Sequence, residues 1–110
     1  MERVPLEEAN PELHKQVVRS LRMVFDPEIP VNVYDLGLIY TLEIDEHGKV
    51  YAQITLTAPN CPEAEYIPGR IQAAIRETEG VSGADIELVF DPPWTRERMS
   101  TAALLALGLI

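Results

Sequence analysis

The sequence contains only one cysteine, Cys61, among its 110 residues. A single thiol cannot close a disulfide within its own chain, and it cannot by itself fill a four-ligand zinc or iron–sulfur site. No run approaches the ~18 consecutive apolar residues that a membrane-spanning helix needs. The first residues also lack the apolar core of a signal peptide. These absences predict a protein of the reducing cytoplasm that has no membrane partner.

Basic residues are scarce as well. There are 9 lysines and arginines against 18 aspartates and glutamates, which gives a formal net charge of −9. Because nucleic acids attract basic patches, we expect no nucleic-acid partner. The chain has no glycine-rich phosphate loop, no Ser-His-Asp spacing and only two histidines, so the motifs of common hydrolases and nucleotide-binding enzymes are missing. We therefore predict that the protein is not an enzyme.

Hydrophobic periodicity predicts one α+β domain over residues 11–110, preceded by a flexible N-terminal tail over residues 1–10. Asn10 is placed to cap a helix over residues 11–24. Residues 39–45 and 49–57 alternate between apolar and polar side chains on either side of a short glycine-containing turn. This pattern is typical of a β-hairpin.

The second half of the chain predicts a helix over residues 62–78, a third strand over residues 84–90 and a short final helix capped by Thr95. The order helix, β-hairpin, helix, strand, helix favours a three-stranded sheet with helices packed on it. Residues 26–38 contain two prolines and a glycine but are rich in apolar side chains. They predict an ordered loop that contributes to the core.

In the segment from Trp94 to Ile110, the predicted final helix is apolar almost all round. A helix of this kind must be buried on more than one side. We therefore expect it to pack partly on its own sheet and partly on a partner surface, with Trp94 at the junction and Met99 on the inward face together with three alanines. The alternative is a helix that merely covers the core.

Cys61 lies between Asn60 and Pro62, where a predicted strand gives way to a predicted helix. Backbone N–H groups and the helix dipole at such a corner stabilise a thiolate, the form that acts as a nucleophile or a metal ligand. The alternative is a small buried apolar side chain, which is the commonest role of a free cysteine.

Two further pairs of residues could support a site. Asp26 and Glu28 lie in a proline-stiffened loop, where their carboxylates could bind a metal or orient a metal-bound sulfur. Alternatively, Asp26 caps a turn and Glu28 is solvated. Thr55 and Thr57 precede Cys61 on one face of the strand, and their hydroxyls could donate hydrogen bonds to a thiolate or sulfide. Alternatively, both reflect strand propensity on a solvated face.

Three segments in order, residues 26–40, 55–62 and 91–100, resemble the SufT and PaaD-like family of small iron–sulfur cluster assembly domains. The resemblance extends from about residue 12 to the C-terminus. It implies an α+β domain with a reactive thiol, and its motifs supply the following site: Cys61, supported by Asp26, Glu28, Thr55, Thr57 and Asn60. PaaD-like members typically carry a cysteine-rich tail, which is missing here, so the SufT-like branch fits better.

The resemblance implies an auxiliary factor in iron–sulfur cluster assembly or in transfer to client proteins, with Cys61 as a transient ligand of iron or a cluster. One thiol is a poor permanent holder, so we expect no permanently bound cofactor. Expected partners are an assembly scaffold, carrier or client protein, a separate P-loop ATPase of the cluster-carrier type, and a second copy in a homodimer. The alternatives are an adaptor without metal contact, a PaaD-like factor for a multicomponent oxygenase, and a thiol enzyme.

Overall fold

The computed structural model describes residues 2–58 and 66–110. Within them no helix is long and apolar enough to cross a membrane. The described elements, in chain order, are β1 (Arg3–Pro5), α1 (Leu6–Ala9), α2 (Pro11–Leu21), β2 (Ile39–Asp45), β3 (Lys49–Ile54), α3 (Tyr66–Arg76), β4 (Gly83–Leu88), a 3₁₀ turn (Arg96–Arg98) and α4 (Thr101–Ala106).

The strands form one mixed sheet in the order β1-β2-β3-β4. β2 and β3 make the predicted antiparallel hairpin, while β4 pairs with β3 in parallel. Two parallel neighbours need a crossover connection, and α3 lies in that connection. The carboxyl ends of β3 and β4 therefore lie together at one end of the sheet, and the β2–β3 turn lies at the other.

The core lies between one face of the sheet and the helices. Val50, Ala52 and Ile54 alternate along β3 and are buried, whereas the intervening side chains are not. Fully buried side chains of α2 and α3 belong to the same cluster; they are Val17, Leu21, Ile67, Ile71 and Ile75. This arrangement confirms the predicted α+β domain with helices packed on a sheet.

The N-terminal residues differ from the prediction. Arg3–Pro5 pair with β2 as a fourth, edge strand, and Leu6 at the start of α1 is fully buried in the core. Residues 3–9 are therefore part of the fold, which corrects both the predicted tail over residues 1–10 and the predicted three-stranded sheet. A three-residue strand has no periodicity of its own, so only its pairing with β2 reveals it.

The helix boundaries follow from local capping. The Asn10 side chain accepts a hydrogen bond from the N–H of Leu13 at 3.1 Å, which confirms the predicted cap of α2. At α4 the cap is Ser100, whose hydroxyl accepts from the N–H of Ala103 at 3.1 Å. The prediction of Thr95 as this cap is wrong, because Thr95 precedes the 3₁₀ turn and makes no side-chain cap bond.

Candidate functional site

The end of the sheet where β3 and β4 finish is built by three segments that are distant in sequence. The N–H of Thr55 donates to the carbonyl of Leu38 at 2.8 Å, and the N–H of Val89 donates to the carbonyl of Ile54 at 2.8 Å. The start of β2 and the chain beyond β4 therefore flank the strand that leads towards Cys61. We call this region the carboxyl end of the sheet.

The loop before β2 is ordered, as predicted. Val33, Leu36 and Leu38 are fully buried in the core. Asn32 and Asp35 exchange two hydrogen bonds, from the N–H of Asp35 to Asn32 Oδ1 at 2.9 Å and from Asn32 Nδ2 to Asp35 Oδ2 at 2.8 Å. These polar contacts fix the turn that carries the apolar side chains inwards.

Asp26 is buried and shapes the first part of that loop. Its Oδ1 accepts hydrogen bonds from the N–H of Glu28 at 2.8 Å and of Ile29 at 2.9 Å. Its own N–H donates to the carbonyl of Val31 at 3.2 Å. These contacts give Asp26 the turn-capping role that the sequence left open as an alternative. The Glu28 side chain is exposed on the same turn.

The segment after β4 packs over the loop before β2. Trp94 Nε1 donates to the carbonyl of Leu36 at 2.7 Å, and the hydroxyl of Tyr40 donates to the carbonyl of Pro92 at 2.8 Å. Gly37 has φ +83°, and a Cβ at this position would collide with the carbonyl of Arg98. The first and third motif segments of the sequence are thus joined in space.

The C-terminal residues only partly match the prediction. Trp94 and Met99 pack against the core of their own domain. Of the predicted inward-facing alanines, only Ala103 is buried, and Met99 precedes α4 rather than belonging to it. Leu105 is 61% exposed and the terminal Ile110 is also exposed. The contact of Trp94 and Met99 with a partner stays a prediction.

The two threonines before Cys61 have different surroundings. Thr57 is partly exposed, whereas Thr55 is 0% exposed, so the alternative that placed both on a solvated face is wrong for Thr55. Thr55 Oγ1 has no hydrogen-bond partner among the described residues. Leaving a buried hydroxyl unpaired costs about 1–3 kcal/mol. Such a group calls for an explanation beyond packing.

Cys61 and Asn60 lie outside the described residues, so the predicted closeness of Asp26 and Glu28 to the thiol stays a prediction. The described chain resumes at Tyr66, the first residue of α3. Across residues 2–58 and 66–110, no group of three or more His, Cys, Asp and Glu side chains is arranged to hold a metal ion.

The sequence reasoning missed the role of Asp45, at the end of the sheet that carries the β2–β3 turn. Its carboxylate accepts hydrogen bonds from the N–H groups of His47 at 2.8 Å and Lys49 at 3.0 Å, and from the hydroxyl of Tyr51 at 2.9 Å. Burial acts to raise the pKa of Asp45, but these three donors outweigh it, so the pKa lies below its ordinary value. An aspartate directly before a glycine-containing turn is the available sequence signal.

The fold and the assembled motifs define a class: a small α+β domain whose lone cysteine follows the central strand β3. Residues 14–88 match the family model described as iron–sulfur cluster assembly protein. The chain belongs to this family, which confirms the resemblance seen in the sequence.

Two relatives and one solved structure illustrate the similarity. An "Fe-S protein maturation auxiliary factor" of Porphyromonas gingivalis is 48% identical over 87% of this chain and 91% of its own. The factor named SufT of Staphylococcus aureus is 33% identical over 79% of this chain and 99% of its own. The crystal structure of a domain of unknown function from Bacillus anthracis aligns with a TM-score of 0.84 and 30% identity, covering 94% of this chain and 98% of that one.

Proposed function

We propose that this protein is a cytoplasmic auxiliary factor in the maturation of iron–sulfur proteins, and that Cys61 transiently binds iron or a cluster during transfer. The relatives' names support the general role. The observation that carries the role of the thiol is Thr55, whose fully buried hydroxyl has no partner among the described residues and lies six residues before Cys61. A thiolate or sulfide brought to this end of the sheet would accept its hydrogen bond and remove the cost of leaving it unpaired.

The other motif residues have supporting roles in this proposal. Asp26 holds the turn that presents the exposed Glu28. The Glu28 carboxylate could then serve as an oxygen ligand to iron, or orient a sulfur ligand. Thr57 and Asn60 precede the thiol in the sequence and would add polar contacts to a bound cluster.

A single thiol per chain suits transfer rather than storage. Iron–sulfur clusters usually take four thiolates, so one chain leaves most coordination positions to other proteins. A homodimer would supply two thiols, and a scaffold, a carrier ATPase or a client would supply the rest. The protein would then exchange ligands without catalytic turnover and without a resident cofactor.

The test is anaerobic reconstitution with iron and sulfide, followed by transfer to a purified apo-enzyme that requires a [4Fe–4S] cluster. We compare the wild type with Cys61→Ser and with the relocated thiol Cys61→Ser/Ser82→Cys. Ser82 is exposed and lies by the β2–β3 turn, where its hydroxyl donates to the carbonyl of His47. The relocated variant therefore keeps one thiol per chain at the wrong end of the sheet.

We expect the wild type to accelerate activation of the apo-enzyme. In both variants the rate of activation should be at least about tenfold lower, since even indirect disturbance of a metal ligand has effects of this size. Sedimentation of the reconstituted sample would report the predicted dimer. Full activity of Cys61→Ser would instead support the adaptor alternative. Rapid alkylation of Cys61 without any iron-dependent absorbance would support a thiol enzyme.

A further inference from the structure

The helical layer is basic although the chain as a whole is acidic. Five of the 9 lysines and arginines lie in α2, at its C-terminal cap or in α3; they are Lys15, Arg19, Arg22, Arg70 and Arg76. By contrast, α2 contains one acidic residue, Glu12, and α3 contains none. α2 with its cap and α3 therefore carry a positive formal charge, five cations against one carboxylate, whereas the whole chain has a net charge of −9.

Most of these cations form no ion pair among the described residues. Arg22 pairs with Asp35, with 3.8 Å between Nε and Oδ2. Over the described ranges, Lys15, Arg19 and Arg70 form no ion pair with a carboxylate. Arg70 instead lies over the ring of Tyr66, with 5.3 Å from Cζ to the ring centre, and its Nη1 donates to the Tyr66 hydroxyl; no carboxylate neutralises its charge among the described residues. Three cations are thus available to an acidic partner.

Large apolar side chains are exposed among these cations. Met23 is 73% exposed, Phe25 52% and Tyr66 46%. Met23 and Phe25 lie on either side of the buried Val24, where the chain turns at the end of α2. Exposed apolar side chains bordered by polar ones are typical of a protein-binding surface.

Met23 also lines two adjoining grooves. One, of about 480 Å³, is bordered by Lys15, Val18 and Arg19. The other, of about 520 Å³, lies between α2 and α3 and is bordered by Arg70, Ala73 and Glu77. We call the combined region the helical surface, defined by Lys15, Arg19, Met23, Arg70 and Ala73.

We propose that the helical surface docks an acidic amphipathic helix of a partner protein. An amphipathic helix places its apolar face in a groove and its charged face along the rim. Here Met23 and Ala73 would receive the apolar face, and Arg19 and Arg70 would pair with glutamates or aspartates. Methionine adapts its shape to different partners, which suits a factor that meets several proteins.

Other occupants fit this surface less well. A nucleic acid or an anionic membrane extends beyond the helical surface and would meet many of the chain's 18 carboxylates, whereas a single docked helix covers the helical surface alone. A second copy offers α4 as its apolar helix, but Thr101–Ala106 contains no acidic residue to match the cations. Charge complementarity therefore selects an acidic protein segment.

The test uses a fluorescein-labelled synthetic peptide with leucines along one helical face and glutamates along the other. Fluorescence anisotropy should show saturable binding that weakens as NaCl is added, because salt screens the ion pairs. Arg19→Glu/Arg70→Glu should weaken binding by roughly tenfold or more, since like charges then face each other. The matched control, Lys49→Glu/Arg96→Glu, makes the same change in net charge elsewhere and should bind much as the wild type does.

A second matched pair of variants tests the contribution of apolar contacts to peptide binding. Met23→Ser should weaken binding by roughly tenfold, as expected for an anchor residue. Leu105→Ser, at a similarly exposed apolar residue of α4, should leave binding unchanged. Thermal unfolding would check that all four variants are folded.

Three results would overturn the proposal. The first is equal affinity of the Arg19/Arg70 variant and its charge-matched control. The second is that the protein binds a peptide with the same leucines scattered, or a peptide with lysines in place of the glutamates, as tightly as it binds the original peptide. The third is tighter binding of poly(U) RNA or anionic vesicles than of the peptide. Cys61→Ser should bind the peptide normally, so failure of the thiol mechanism and failure of this surface can be told apart.

Discussion

The two ends of the sheet differ in the hydrogen bonding of their buried polar side chains. By the β2–β3 turn, the carboxylate of Asp45 accepts three hydrogen bonds. At the carboxyl end, the hydroxyl of Thr55 has no partner among the described residues. A satisfied buried group stabilises a fold, whereas an unsatisfied one costs stability. The turn end is thus arranged for stability, whereas the carboxyl end leaves the Thr55 hydroxyl without a partner within residues 2–58 and 66–110.

The two ends also differ in the range of their contacts. Asp45 bonds residues two, four and six positions further along the chain. At the carboxyl end, the Trp94–Leu36 bond joins residues 58 positions apart, and the Tyr40–Pro92 bond joins residues 52 positions apart. The hydrogen bonds of Asp45 can form within the hairpin alone, whereas those of Trp94 and Tyr40 form only when the whole domain has folded.

The largest expected effect on the free energy of unfolding comes from substituting a pair of glycines, one at each end of the sheet. Gly37 and Gly48 both have positive φ, at +83° and +85°. Gly37→Ala also places a Cβ against the backbone of Arg98, whereas the nearest atom to a Cβ at Gly48 is Ser82 Oγ at 3.5 Å. Gly48→Ala should cost about 1–2 kcal/mol for its backbone conformation alone, and Gly37→Ala should cost about 3 kcal/mol or more.

Urea unfolding of both variants would measure this difference. If both variants lose the same free energy of unfolding, the segment after β4 can move away from residue 37 without cost. The carboxyl end would then be less tightly packed than its contacts indicate. Increased exposure of Trp94, seen in its fluorescence, would show that only the Gly37 variant releases this segment.

A pair of threonines tests the role of the buried Thr55 hydroxyl. Thr78 Oγ1 donates to the carbonyl of Ala74 at 2.9 Å and lies 2.7 Å from Ser20 Oγ, so Thr78→Val should cost about 1–2 kcal/mol. Thr55→Val removes a buried hydroxyl that has no such partner in the part of the chain that the structure describes, and it should leave stability unchanged or raise it by up to about 1 kcal/mol. The same Thr55 variant should slow cluster transfer to a client. A destabilised Thr55→Val with normal transfer would assign the hydroxyl a structural role instead.

The smallest expected effect is the pH dependence of stability from Asp45. Its pKa in the folded state is lowered, so its contribution is complete above the ordinary aspartate pKa of about 4 and is lost as the pH falls through the lower, folded value. Asp45→Asn should therefore be less stable than the wild type at pH 7, and the gap should narrow in acid. Urea midpoints at both pH values would check this, and a gap independent of pH would contradict it.

Local signals in the sequence predicted much of the fold. The alternation over residues 39–45 matches the bounds of β2, and Asn10 caps α2 as expected. These two features depend on residues a few positions apart, so periodicity and capping are sufficient to predict them. The family was recognised differently, from the resemblance of three motif segments that include Cys61.

Tertiary structure decided the rest. The pairing of β1 with β2, the burial of Thr55 and the contact of Trp94 with Leu36 all join segments distant in sequence. The helical surface likewise depends on α2 and α3 lying side by side, which brings Arg70 close to Met23 although neither helix alone shows a groove. A sequence pattern shows which side chains share a face of one element, but only packing between elements determines which faces meet and which polar groups they leave without a partner.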